Sequence, residues 1–133
     1  MINIEELRIG NTVLHKASVR ILPTQLTLQH FEALSKNGTK DFFPVVLKAD
    51  VLQKCGFTEN KNYPGLPTSR EFSLPLPVPG EQKTEVFAWI KTNGECFGRV
   101  MTDGKAISRN VYHLHQLQNL IYAITGTELE VML

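Results

Sequence analysis

Four histidines, two cysteines and thirteen carboxylates are the groups in this 133-residue chain that could do chemistry, and their spacing limits what they can do. His113 and His115 stand closest. On a strand both rings would face one side, as two metal ligands must; on a helix they would point about 200° apart. Their segment has helical periodicity, and no Cys, Asp or Glu nearby completes a three- or four-ligand set. Structural hydrogen bonding at a helix start is the expectation, and no metal site is assigned. Cys55 and Cys96 form neither a CxxC nor a disulfide framework, and read as reduced, buried thiols. The carboxylates are scattered, none paired with a histidine as a general base would be. Phosphate-cradling glycine motifs, GxSxG and HExxH are all missing. The chain therefore reads as a protein without a catalytic constellation, and no catalytic residue, cofactor or metal ligand is assigned.

Binding signals are sharper. His115, Gln118, Asn119 and Tyr122 fall at i, i+3, i+4 and i+7, a polar, uncharged stripe on a helix. An exposed helix face normally carries Lys and Glu, yet no charged residue occurs between Arg109 and Glu128. Amides and aromatics with charge removed are the composition of an interface. The stripe fits three settings: tucked under a proline-rich segment of its own chain, packed on another subunit or protein partner, or reading base edges in a major groove with Arg99, Lys105 and Arg109 as nearby cations. These four residues are the candidate interface, with a second copy or protein partner on the 112–125 helix as the expectation. Trp89 reads as a core or sheet-face residue, with stacking on a base or sugar as the alternative. Pro64-Gly65-Leu66-Pro67 has the PxxP form but reads as an ordinary proline-rich loop.

Composition narrows the classes further. Lys+Arg 14 against Asp+Glu 13 leaves a net charge of +1, which excludes the strong field of a general nucleic-acid binder. A hydrophobic fraction of 42% supports a packed core. No run of about 18 apolar residues occurs, and the opening residues carry neither a basic nor an apolar leader segment, so a cytoplasmic location without membrane contact is expected.

These residues need elements to position them. Asn3 with Glu6 predicts a short opening helical turn. Thr12–His15 and Val19–Leu22 predict a hairpin stopped by Pro23. Thr27 to Gly38 alternates like a strand, but Leu28, Phe31 and Leu34 keep helical spacing between capping residues, and helix is preferred. Asp41–Leu47 predicts a strand, Ala49–Cys55 a short helix ended by Gly56. The composition shifts to proline from Thr58 to Gln82, the expected join between sub-lobes 1–57 and 69–133 of one domain, and within it the alternation Leu74-Pro75-Leu76-Pro77-Val78-Pro79 predicts an edge strand or polyproline II segment. Glu85–Lys91, Glu95–Met101 and Lys105–Ser108, separated by Asn93-Gly94 and Asp103-Gly104, predict an antiparallel meander. Val111, Leu114, Leu117, Ile121 and Ile124 predict the longest helix, which should bury against Phe87 and Trp89. Leu129, Val131 and Met132 predict a last edge strand.

Three blocks carry a family likeness. Leu7-Arg8-Ile9-Gly10-Asn11, then Pro44–Leu47 with Val51–Phe57, and above all His113–Leu120 followed by Ala123-Ile124-Thr125-Gly126 and Glu128-Leu129, resemble a family of small proteins from Bacteroidetes genomes and their phages. The resemblance implies a mobile-element setting and brings no catalytic residues with it. The chain departs from the family at Lys48-Ala49, where a better helix cap is usual. The reading is an α+β fold, a short-stranded N-terminal part followed by a meander on a long helix. The expected function is a non-enzymatic binding or assembly module, accessory to a phage or integrated element, or alternatively a nucleic-acid-associated regulator.

Overall fold

A computed structural model of the chain describes residues 2–61, 69–80 and 82–132. The architecture is α+β: a three-stranded and a five-stranded antiparallel sheet with three α-helices. Asn3 opens the chain as expected, its side chain accepting from the Glu5 amide at 3.0 Å and capping a 3-10 turn at Ile4–Glu6. Strands β1 (Thr12–Ala17) and β2 (Arg20–Gln25) form a two-residue hairpin in which Ser18 takes φ 62°.

Pro23 does not stop β2 but lies inside it, opposite Leu14. The reason is positional. The Lys16 amide donates to the Asp41 carbonyl, so the even-numbered residues of β1 point their amides away from β2. Pro23 therefore pairs at a site where its missing donor faces the open edge, the one strand position a proline tolerates.

Helix α1 (Leu28–Asn37) settles the ambiguous segment: the Thr27 amide donates to His30 Nδ1 at 3.0 Å, and Gly38 ends the helix at φ 72°. The strand expected over 41–47 divides at Pro44. Strand β3 (Phe42–Phe43) pairs with β1, whereas Val45–Leu47 turns to the other sheet, with Leu114 donating to Val45 and Leu47 to Tyr112. Helix α2 (Ala49–Lys54) starts where expected although Lys48 supplies no side-chain cap. Its buried Val51, Leu52 and the following Cys55 hold it in place instead.

The second sheet runs β4 (Thr58–Glu59), β5 (Arg70–Pro75), β6 (Thr84–Ile90), β7 (Cys96–Thr102) and β8 (Lys105–Ala106) in sequential order. The meander is as expected, with a shorter third strand, and the Asp103-Gly104 turn has both residues at positive φ. Strand β5 went unread because prolines dominate its surroundings. Its residues up to Leu74 keep their amides, and it lies between β4 and β6 rather than on an edge. Pro64 to Pro67 lie outside the described residues.

Helix α3 (Leu114–Thr125), ended by Gly126 in the left-handed conformation, begins later than its periodicity suggests because residues 111–113 are extended and bridge Gly98 and Val46. No strand forms over 129–132: the tail crosses α2, where the Met132 amide donates to the Lys54 carbonyl, while Leu129 and Val131 pack on the core.

The core divides at Pro44, not at the proline-rich join. Ile2, Val13, Leu26, Leu34 and Phe42 form one cluster; residues from Val45 onward, α2 included, form the larger one with the five-stranded sheet and α3. The sheet face toward α3 carries Thr84, Val86, Ala88, Cys96, Gly98 and Val100. Phe87 and Trp89 are thus on the opposite face, contrary to expectation, because alternation from Val86 and Ala88 leaves them no inward position. A Cβ at Gly98 would already touch Val111 and Leu47, so no large ring fits on the inner face at that point.

Leu117, fully buried in the larger cluster, should lose about 2–5 kcal/mol of stability on substitution to Ala, whereas Val19→Ser at the 91% exposed hairpin tip should change it by under about 0.5 kcal/mol. Urea midpoints compare the two; equal shifts would contradict this placement of the core.

Candidate functional site

The polar stripe on α3 is engaged inside the chain. The Gln118 carboxamide is buried beside β1, where Oε1 accepts from the Thr12 amide at 2.7 Å. Asn119 Oδ1 accepts from Arg8 Nε and Asn11 Nδ2, and its Nδ2 donates to the Glu6 carbonyl at 2.6 Å. Arg8 grips Glu128 with both ends of its guanidinium, at 2.7 and 3.0 Å, and lies 4.2 Å from the centre of the Tyr122 ring. The stripe fastens the segment Glu6–Thr12 rather than the proline-rich stretch, and only Tyr122 of the four candidates retains substantial exposure. Three of the four candidate interface residues are therefore occupied by their own chain. Sequence reasoning missed Arg8 and Glu128, which lie 120 residues apart and carry no shared periodic signal.

His113 and His115 also depart from expectation. His113 is extended rather than helical, and the two rings stack at 5.8 Å instead of diverging. His115 is 1% exposed and neither ring nitrogen has a hydrogen-bond partner among the described residues. Burial holds its pKa below the ordinary value, His113 adding to the effect and the Glu6 carboxylate opposing it; burial likewise lowers His113. No group of three or more metal-ligating side chains occurs among the described residues. Both cysteines are unpaired and buried, and burial pushes each thiol up to about 11, which leaves no reactive thiolate near neutral pH.

The outer face of the five-stranded sheet has a different composition. Cross-strand register places Glu71, Trp89 and Phe97 in one row and Ser73, Phe87 and Arg99 in the next. Phe87 and Trp89 lie nearly parallel at 5.8 Å, and Trp89 meets Phe97 at 5.4 Å. The Trp89 indole donates to Glu71 Oε2 at 2.8 Å, while Asn60 donates to Glu71 Oε1, so each carboxylate oxygen accepts one bond and the ring is oriented. Arg99 donates twice to Asn110 Oδ1, which orients the guanidinium without neutralising it. Lys91 Nζ lies 5.6 Å from the Phe97 ring centre. A depression of about 340 Å³ is lined by Ser69, Trp89, Ile90, Lys91, Phe97 and Arg99.

No family model, curated protein or solved structure matches the chain. A larger groove of about 660 Å³ between β2 and the C-terminal tail contains neither a cation nor an aromatic ring, and its Gln118 amide is already engaged. The outer sheet face alone combines rings, fixed cations and a concavity among the described residues. Trp89 and Arg99 were legible as single residues; Phe97 and Asn110 needed the register.

Gln118→Leu, which keeps the bulk but strands the Thr12 amide, should cost about 1–3 kcal/mol in urea denaturation, and an unchanged midpoint would show that the bond does not support β1.

A pH dependence follows from the histidines. The folded chain resists protonation at His113 and His115, whereas the unfolded chain protonates near the ordinary value of 6.5. Their stabilising contribution is therefore complete above that pH and is lost as pH falls through it toward the lower folded values. Denaturation midpoints should drop over this window and drop less in His115→Phe; a wild-type profile no steeper than that of the variant would refute the assignment.

Proposed function

We propose that this chain is a non-enzymatic binding module that recognises its ligand with the outer face of the five-stranded sheet. The observation that carries the reading is the contiguous trio Phe87, Trp89 and Phe97 on the sheet face away from the core, bordered by Arg99 and Lys91. Rings of that size contribute most when buried. The three rings are half-buried against one another and leave part of their apolar surface on the outer side of the sheet, where a ligand can cover it.

The supporting hydrogen bonds favour recognition over reaction. Glu71 and Asn110 hold Trp89 and Arg99 in fixed orientations, which lowers the entropy lost when a ligand binds. Among the described residues no acid–base pair faces the depression. The sequence blocks that resemble small phage and Bacteroidetes proteins support an accessory role in a mobile element. A nucleic-acid-associated regulator is the second reading, favoured by the uncompensated Arg99 guanidinium beside the rings.

Trp89 is the chain's single tryptophan, so its emission reports on this face alone. Titration with single-stranded oligonucleotides, acidic peptides and oligosaccharides should find one class that changes Trp89 emission, raises the melting temperature and is recovered chemically intact. A panel in which no ligand perturbs Trp89, or in which one is turned over, would overturn the reading.

A further inference from the structure

The geometry points to single-stranded nucleic acid as the ligand of this face, an inference that rests on the binding reading above. Flat rings on a sheet attract two chemistries, sugars and nucleobases, and the polar groups around the rings separate them. A sugar platform needs free carboxylate or amide oxygens beside the ring to take hydroxyl donors. Here each oxygen of the Glu71 carboxylate already accepts one hydrogen bond, from Asn60 and from Trp89, which leaves fewer lone pairs for hydroxyl donors. Asn110 Oδ1 is likewise occupied by Arg99. The donors that remain beside the rings are Arg99 Nη1, which has no partner among the described residues, and the Lys91 ammonium, which is 3.8 Å from Glu95; the Glu71 carboxylate keeps its negative charge on the same face. Phosphate is the group that accepts from both.

The spacing suits a strand of bases. Phe87, Trp89 and Phe97 offer a stepped surface with centroids 5.8 and 5.4 Å apart, on which one or two unpaired bases can stack. Arg99 lies directly across from Phe87 and Lys91 beside Phe97, so each end of the stack has a cation for the adjoining phosphate. Paired bases hide their faces, so duplex is excluded by the same geometry. Two cations and a net charge of +1 also set the electrostatic contribution low. Stacking, not the phosphate field, dominates affinity.

The test uses the full chain, a fluorescently labelled dT12 and the same sequence as a duplex. Single strand should raise anisotropy and quench Trp89; duplex should do neither. Affinity should fall only about two- to threefold for each doubling of salt, as expected for two phosphate contacts. Phe97→Ala should weaken binding about tenfold or more through lost stacking. Arg99→Glu should weaken it and flatten the salt dependence, with circular dichroism confirming that both variants fold. Equal binding of duplex, or affinity unmoved by both substitutions, overturns the nucleic-acid inference. Should dT12 fail while an acidic peptide or oligosaccharide quenches Trp89, that inference falls and the binding face stands. Should nothing quench Trp89, both fall.

Discussion

Strand β1 has a backbone edge that β3 covers only at Leu14 and His15, and the amide of Thr12 on that edge must find an acceptor elsewhere. Gln118 of α3 supplies it. Around this one bond the chain assembles its two parts: Asn119 takes the Glu6 carbonyl, the Asn11 amide group and the Arg8 guanidinium, and Arg8 then reaches Glu128 beyond the end of the helix. A helix that must satisfy the backbone of one sheet while its apolar stripe lies on the other has little freedom to rotate. That explains its composition. Lysine or glutamate at 118 or 119 would bring an unpaired charge under β1, at a cost far above that of an amide.

The position of α3 in turn decides what the five-stranded sheet can place on each face. Close approach of the helix and of Val111 leaves room only for Val86, Ala88, Cys96, Gly98 and Val100. The rings on alternate positions then face outward, and Phe72 of β5 is the one large aromatic the inner face of this sheet accepts, further from the helix contact at Gly98. Pro44 completes the coupling between sheets. By ending β3 it turns Val45–Leu47 across to residues 111–113, so a single seven-residue stretch is edge to one sheet and neighbour to the other.

Local signals were legible and long-range ones were not. Capping at Asn3, Gly38 and Gly126, the meander turns and the two helical periodicities all follow from contacts within a few residues. Strand β5 escaped because its six residues are flanked by prolines whose meaning depends on which edge faces solvent. The tail at 129–132 alternates like a strand but crosses α2, where the Met132 amide donates to the Lys54 carbonyl, and joins no sheet edge. The stripe on α3 was recognised as unusual, and the depletion of charge was the correct signal; its partner was misjudged because Arg8, Asn11 and Thr12 are more than 100 residues away. Parity was the decisive error at Phe87 and Trp89. A strand with Val86 and Ala88 between larger residues reads equally well with either face inward until the neighbour is known to sit close.

That parity is also what turns a structural detail into a functional argument. Had Trp89 faced α3, its indole would need a buried acceptor, and the only carboxylate opposite it in register, Glu71, would have been drawn into the core. Facing outward, the same pair forms a partly exposed, oriented platform: Glu71 fixes the indole through its N–H, beside the rings of Phe87 and Phe97. Arg99 is treated the same way by Asn110. Two side chains held by partly exposed polar neighbours gain little for folding from those bonds, since such pairs yield little net stability. They are well suited to binding, where the orientation they maintain is entropy the ligand does not have to lose.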